Sequence, residues 1–243
     1  MSHQALARVV MRLLHDPQAD VSAADLSAEE RAWLSEVDPR AWSVDHERPA
    51  RVLKGLVDEL PASVAIATAR ASYPAVLAFF RSTWFHAEVD HRGSLIEGFA
   101  EHLRELGADP GVLGIELAQA RARRPSSGRG LCCAPGVAAV TVDGSALENL
   151  NRIERLLFEL SLFPAMALSR ERPGLPELAP PAGTLHLVVT PEGLRQLGRV
   201  VCEVLQRLPT DNLAGVVTEL GLPSHVAESL EADLLRHGLA VIR

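Results

Sequence analysis

Histidine and carboxylate side chains cluster in the segment FHAEVDH, residues 85 to 91. His86, Glu88, Asp90 and His91 are residue types that bind transition metals, and a site would need three or four of them to converge. If the segment is helical, the five-residue separation turns His86 and His91 about 140° apart. A metal-dependent enzyme that uses His86 and His91 is therefore one alternative, and a solvated segment that contacts a partner is the favoured interpretation.

The three cysteines, Cys132, Cys133 and Cys202, show no metal-ligand spacing. The adjacent pair Cys132 and Cys133 could act as a redox switch, although two reduced thiols in a linker are the favoured interpretation. Their odd number argues against a secreted disulfide scaffold and predicts a cytoplasmic location. The sequence also lacks the Walker, GxSxG, HExxH and CxxC signatures, so these patterns indicate no catalytic site.

The length of 243 residues is enough for two domains that each bury a core. Residues 1–124 carry apolar positions spaced three and four apart, which predicts an all-helical bundle. Residues 125–136 are rich in Pro, Ser and Gly and predict a linker. Residues 137–243 mix apolar runs with helical patterns, so the fold class predicted for the whole chain is α+β.

The second predicted domain has the outline of a winged helix with extra strands before it. Its last part contains a short apolar strand, three helices and a closing strand. The predicted elements are strands at Val137–Val142 and Leu162–Ser169, a helix at Asn149–Leu160, a strand at Leu185–Val189, a helix from Thr190 to Leu208, a second helix ended by Gly221, a third at Ser224–Gly238 and a strand at Leu239–Ile242.

The charges of the third predicted helix decide what such a domain could bind. A winged helix that reads DNA needs Lys or Arg on this helix, but here Glu228, Glu231 and Asp233 stand against Arg236 alone. The whole chain agrees, because 24 basic and 31 acidic residues give a net charge of −7. We therefore expect no nucleic-acid binding, and a winged-helix transcriptional regulator that binds DNA is the disfavoured alternative.

A winged helix can instead bind an extended peptide as an added strand beside its third helix. We expect the peptide-binding residues to lie on the strand at Leu185–Val189 and on the third helix; they are Leu185, Leu187, Val189, His225, Glu228, Ser229 and Ala232. A domain that only packs against the rest of the chain or a partner is the other interpretation. No apolar stretch is long enough to span a membrane, so we expect no membrane partner.

Three segments of the first half resemble a known family: Arg48–Ser63, Leu77–Leu103 and Gly114–Arg124. They are similar to the helical domain of partner proteins of multinuclear non-heme iron-dependent oxidative enzymes, a group that includes the methanobactin partner subunit. Those enzymes modify ribosomally made peptides, often at cysteine. The resemblance implies a helical domain followed by a domain that resembles a peptide-recognition winged helix.

The resemblance also implies a non-catalytic subunit that presents a short precursor peptide, which can contain cysteine, to the iron enzyme. The iron would belong to the partner enzyme, with no cofactor in this chain. For the contact with that enzyme we assign the segment described first, namely Phe85, His86, Asp90, His91 and Arg92.

Overall fold

Helices and small antiparallel sheets make up the structure, a computed structural model that describes residues 4–22, 24–43, 47–91, 93–124, 128–160 and 174–243. The chain is a mixed α+β protein. Its contacts divide it into two compact units. The first comprises Met1–Ala108 and Leu156–Leu175, and the second comprises Asp109–Arg155 and Pro176–Arg243.

The described part of the first unit is helical. Two of its helices begin at signals visible in the sequence: Ser27 and Glu30 form a capping box, and Ser72 accepts a hydrogen bond from the backbone of Ala75. The elements are α1 (Gln4–His15), α2 (Ala28–Glu36), a 3-10 helix (Pro39–Ser43), α3 (Arg48–Glu59), α4 (Pro61–Arg70), α5 (Tyr73–Leu77), a 3-10 helix (Ala78–Arg81), α6 (Thr83–His91) and α7 (Leu95–Glu105).

Aromatic side chains and a small-residue helix form the core of this unit. The ring of Phe79 packs edge-on against Phe99 at 5.1 Å and against Phe85 at 5.5 Å. Residues Ala62 to Thr68 of α4 are all buried, which is possible because most of them are small. This packing buries aromatic surface whose removal from water stabilises the unit.

The second unit contains the described strands and the remaining helices. Strand β3 pairs antiparallel with β2 and with β4, and a separate pair joins β1 to β5. The elements are α8 (Pro110–Ala122), β1 (Leu131–Cys133), β2 (Ala138–Asp143), α9 (Ala146–Leu160, of which the residues after Arg155 belong to the first unit), β3 (Thr184–Thr190), β4 (Gly193–Gln196), α10 (Arg199–Gln206), α11 (Leu213–Glu219), α12 (Val226–Arg236) and β5 (Ala240–Ile242).

This division differs from the predicted boundaries of 1–124, 125–136 and 137–243. Helix α8 groups with the second unit because Ala118 and Ala122 pack against Ala138 of β2 and Val189 of β3. The predicted linker contains β1, which pairs with β5. The glycine and proline residues around β1 favour the prediction of a linker. The pairing that makes β1 a strand involves residues more than a hundred positions away, so no local pattern indicates it.

Several predicted elements are confirmed, and one helix is wrong. The strands at Val137–Val142 and Leu185–Val189 are β2 and β3, and Leu239–Ile242 contains β5. The predicted strand Leu162–Ser169 lies outside the described residues. The helix predicted to begin at Thr190 begins only at Arg199, because the intervening residues form a hairpin and β4.

A tight turn explains why the chain reverses after β3. The hydroxyl of Thr190 donates a hydrogen bond to the carbonyl of Gly193 at 3.0 Å, and Gly193 has a positive φ of 124°. Pro191 therefore occupies a turn position, where its fixed φ is also favourable, and not the first turn of a helix. The result is a β3–β4 hairpin that the apolar spacing after Thr190 concealed.

Candidate functional site

A groove in the second unit lies between strand β4 and helix α12. It encloses about 420 Å³, a volume typical of small ligand sites. The side chains that line it come from the β3–β4 hairpin, from α10, from α12 and from the residue before β5. They are Val188, Arg195, Leu197, Val201, Leu230, Asp233, Leu234, His237 and Leu239.

The floor of the groove is the surface of the unit's hydrophobic core. Val188 and Leu234 are buried members of that core, and Leu197, Val201 and Leu230 pack against it while keeping part of their surface in the groove. Helix α12 contributes positions that recur every three or four residues, so they lie on one side of the helix. An apolar side chain placed here would therefore contact a preformed apolar surface.

Arg195 of β4 and Leu197, the residue after it, contribute the strand wall of the groove. Leu197, the residue after β4, donates its N–H to the carbonyl of His186 on β3 at 2.9 Å. Hydrogen-bonded positions alternate along an antiparallel pair, so Arg195 also directs its backbone groups to β3, whereas Leu194 and Gln196 direct theirs away from it. In the described part of the chain β4 pairs with β3 alone.

Charged side chains stand at the rim of the groove, one on each wall. Arg195 on the strand wall lies 3.6 Å from Glu192, and Asp233 on the helix wall lies 3.0 Å from Arg236. Both pairs are largely exposed to solvent, so each contributes little to stability. Either partner can therefore exchange its ion pair for one with a bound ligand.

The predicted strand edge on β3 is wrong. Strand β3 lies in the middle of its sheet, because β2 occupies one side and β4 occupies the other. Leu187 and Val189 are only 3% and 8% exposed, and Leu185 is half-buried. The edge strand is instead β4, which the sequence analysis did not predict. Its signal in the sequence was the spacing of Pro and Gly in the TPEG turn.

Helix α12 lines the groove with a different face from the one predicted. His225, Glu228, Ser229 and Ala232 are all exposed, but none of them lines the groove. The residues that do, Leu230, Asp233 and Leu234 of α12 and His237 just after it, each lie five positions further along and so are turned by about 140°. The predicted residues lie on an exposed face, whereas the groove lies at the margin of the apolar stripe.

The predicted partner-contact segment includes a core residue. Phe85 is fully buried between Phe79, Phe80 and His15, so its assignment to a contact surface is wrong. Asp90 forms an ion pair with Arg12 of α1. His86 is half-buried, His91 is exposed, and Arg92 lies outside the described residues.

The predicted metal ligands His86 and His91 both lie on helix α6 and therefore point in different directions. His91 Nδ1 is 2.8 Å from the carbonyl oxygen of Ala87 in its own helix, and burial lowers the pKa of His86, with Arg12 as a further cause. Within the described residues no group of three or more His, Cys, Asp and Glu side chains is arranged to hold a metal ion.

The adjacent cysteines lie on strand β1 and not in a flexible linker. Cys132 is buried, and Cys133 places its Sγ 3.4 Å from the carbonyl oxygen of Leu205. Burial, with the neighbouring Cys132, raises the pKa of the Cys133 thiol to about 11. Because the reactive form of cysteine is the thiolate, Cys133 has the environment of an unreactive thiol.

A second cavity, of about 550 Å³, lies where α8 begins and β2 ends. Its carboxylates are already used within the protein: Asp109 caps α8 through the N–H groups of Gly111 and Val112, and Asp143 accepts hydrogen bonds from Ser145 and Ala182. The acceptors in this cavity thus serve local structure, and the groove beside β4 is the stronger candidate site.

Comparison of the chain with protein-family models, with curated proteins and with solved structures finds no match. In the described part of the chain, no helix combines the length and apolar character needed to cross a membrane. The groove between β4 and α12 is therefore the observation on which a function can be based.

Proposed function

We propose that this protein binds an extended peptide in the groove between β4 and α12. One observation carries this proposal: among the residues that the structure describes, strand β4 pairs on one side only, and it contributes side chains to a preformed apolar groove. A peptide that pairs with this edge would form hydrogen bonds with the backbone of Leu194 and Gln196. Alternate side chains of the peptide would then enter the groove and cover Leu197, Val201 and Leu230.

The two parts of this interaction have different roles. Backbone pairing is independent of the peptide's sequence, so it would supply orientation and general affinity. Burial of apolar side chains would supply selectivity, at about 1.5–3 kcal/mol for each fully buried side chain before the loss of conformational freedom is subtracted. A peptide with apolar side chains at alternate positions could form both interactions, the backbone pairing and the side-chain burial.

We further propose that the protein is an accessory subunit that presents its peptide to a multinuclear non-heme iron-dependent enzyme. The resemblance of Arg48–Ser63, Leu77–Leu103 and Gly114–Arg124 to the helical domain of such partner proteins supports this proposal, as does the apolar groove in the second unit. In this proposal the iron resides in the enzyme. The exposed His91 remains a candidate for the contact surface on the first unit.

The experiment on peptide binding uses a single edge residue. The N–H of Gln196 points away from β3, so Gln196→Pro removes a donor from the free edge without removing a bond to β3. We expect Gln196→Pro to weaken peptide binding about tenfold and Gln196→Ala to preserve it, as measured by calorimetry with peptides selected from a random library on the immobilised protein. Equal binding by both variants would contradict the proposal.

The experiment on the accessory role uses co-purification. The full chain is expressed with a candidate iron enzyme and its precursor peptide, and the complex is isolated through a tag on the chain. We expect the enzyme to co-purify and to retain iron. Stoichiometric iron bound to the isolated chain, without the enzyme, would contradict a non-catalytic role.

A further inference from the structure

The two walls of the groove differ in charge. Helix α12 carries Glu228, Glu231 and Asp233 against Arg236, and Asp233 is the carboxylate that lines the groove on this wall. The strand wall carries Arg195, which has Glu192 beside it. Asp233 therefore places a negative charge at the helix wall, which would attract a cationic group of a ligand.

Asp233 lies beside the apolar floor of the groove, and this arrangement favours some charged side chains of a bound peptide over others. Leu230 and Leu234 lie on the same side of α12 as Asp233, so an apolar surface adjoins a carboxylate at its margin. Lys and Arg match this arrangement, because their long aliphatic stems can cover apolar surface while their charged ends stay at the edge. Asp and Glu have short stems and a charge that Asp233 would repel.

The existing partner of Asp233 does not prevent this contact. Arg236 donates a hydrogen bond to the Oδ1 atom of Asp233, and both side chains are more than half exposed. A carboxylate can accept hydrogen bonds through both oxygens, so it can bind a second cation beside the first. The exposed pair with Arg236 is also weak enough to be exchanged.

Resting on the proposed peptide-binding function, we infer that the groove is selective for a basic–apolar strand. In the bound peptide, one Lys or Arg side chain lies over Leu230 and Leu234 with its charged end at Asp233. Because side chains on one face of a strand alternate, an apolar side chain two positions away enters the groove over Leu197 and Val201. The partner is thus a cationic peptide segment with alternating apolar positions.

The test selects peptides from a random display library on the immobilised full-length protein, its Asp233→Lys variant and its Glu228→Lys variant. Glu228 is the matched control, because it lies on the same helix and undergoes the same change of charge but does not line the groove. We expect the wild type and Glu228→Lys to enrich peptides with Lys or Arg two positions from an apolar residue. Asp233→Lys should lose that preference.

Affinity measurements on one enriched peptide then give the size of the effect. Fluorescence polarisation with the labelled peptide should show binding roughly five- to tenfold weaker to Asp233→Lys and changed by less than about twofold in Glu228→Lys. Both residues are exposed, so neither change disturbs the core.

The outcomes separate the two proposals. Enriched peptides without a basic preference, or with a preference that Asp233→Lys leaves intact, overturn the basic–apolar selectivity while peptide binding stands. Failure of every variant, the wild type included, to enrich any peptide overturns the proposed peptide-binding function itself.

Discussion

Phe85 shows how a single side chain can be assigned to the wrong environment. Its neighbours in sequence, His86, Asp90 and His91, are polar, and this composition favoured an exposed contact segment. In the structure Phe85 is 0% exposed and packs against Phe79 and Phe80. Phe85 is the residue of α6 that is buried, and its burial cannot be deduced from the charges of its neighbours.

Truncation of Phe85 is therefore expected to destabilise the protein. We expect Phe85→Ala to lower the free energy of unfolding by about 3–5 kcal/mol, because it leaves a cavity among aromatic rings. Phe158 is the matched control, since it is 77% exposed, and Phe158→Ala should change the same quantity by less than about 0.5 kcal/mol. Chemical denaturation measures both; similar values for the two variants would contradict the core assignment of Phe85.

Two histidines of the first unit predict a dependence of stability on pH. Burial lowers the pKa of His15, with a smaller contribution from Arg48, and burial and Arg12 lower that of His86. The unfolded chain binds these protons more readily, at a pKa of about 6.5. The stability of this unit is therefore complete above about pH 6.5 and declines as the pH falls towards the lowered values.

We expect hydrogen exchange to detect this decline in α1 and α6. Amide protection in these helices should decrease between about pH 7 and pH 5, after correction for the intrinsic exchange rate. The double variant His15→Gln, His86→Gln removes both titrating groups, so its protection should change less over the same range. An equal decline in wild type and variant would contradict the assignment of this pH dependence to His15 and His86.

At the scale of elements, the β3–β4 hairpin creates the candidate site. It supplies the strand edge, and its turn depends on the positive φ of Gly193. A Cβ atom at Gly193 would meet no other atom within 4 Å, so a substitution there tests backbone conformation alone. Gly55 in helix α3 has the same open surroundings without a positive φ, which makes it the matched control.

We expect opposite signs from the two substitutions. Gly193→Ala should destabilise the protein by about 1–2 kcal/mol and weaken peptide binding, because alanine is strained at a positive φ. Gly55→Ala should stabilise it by about 0.5–1 kcal/mol, since alanine favours a helix interior. Thermal unfolding and peptide titration measure the two effects; unchanged stability in Gly193→Ala would mean that the turn tolerates another conformation.

Local patterns predicted the elements that have their own signals. Strand β3 has a continuous apolar run, and α12 has an apolar stripe ended by Gly238. Strand β4 lacked such a signal, because Leu194 and Leu197 also fit the periodicity of the following helix. The groove could not be predicted, since it requires the hairpin and α12 to lie side by side, and that proximity depends on packing across the unit.

At the scale of the whole molecule, helix α8 determines where the second unit begins. Gly114 lets α8 approach β2 closely: a Cβ atom there would lie 3.1 Å from a methyl group of Val142 and 3.4 Å from one of Val140. Charge and composition predicted two regions in the chain but could not show to which of them α8 belongs. Helix α8 follows other helices in the sequence, yet it packs on the sheet that comes after it.

A larger residue at Gly114 is expected to disturb the second unit selectively. We expect Gly114→Leu to lower the free energy of unfolding by about 1–3 kcal/mol through overpacking against β2. Amide exchange should accelerate in β2 and β3, while helices α3 and α4 of the first unit keep their protection. Faster exchange in α3 and α4 alone would contradict the grouping of α8 with the second unit.

The edge of β4 that is unpaired in the described part of the chain also has a consequence for how the protein behaves in concentrated solution. Unpaired strand edges can pair with the same edge of another copy and so start aggregation. Strand β4 is only four residues long and carries Arg195, features that limit such pairing. In the proposed complex the peptide pairs with this edge, so it would also hinder pairing between two copies of the protein.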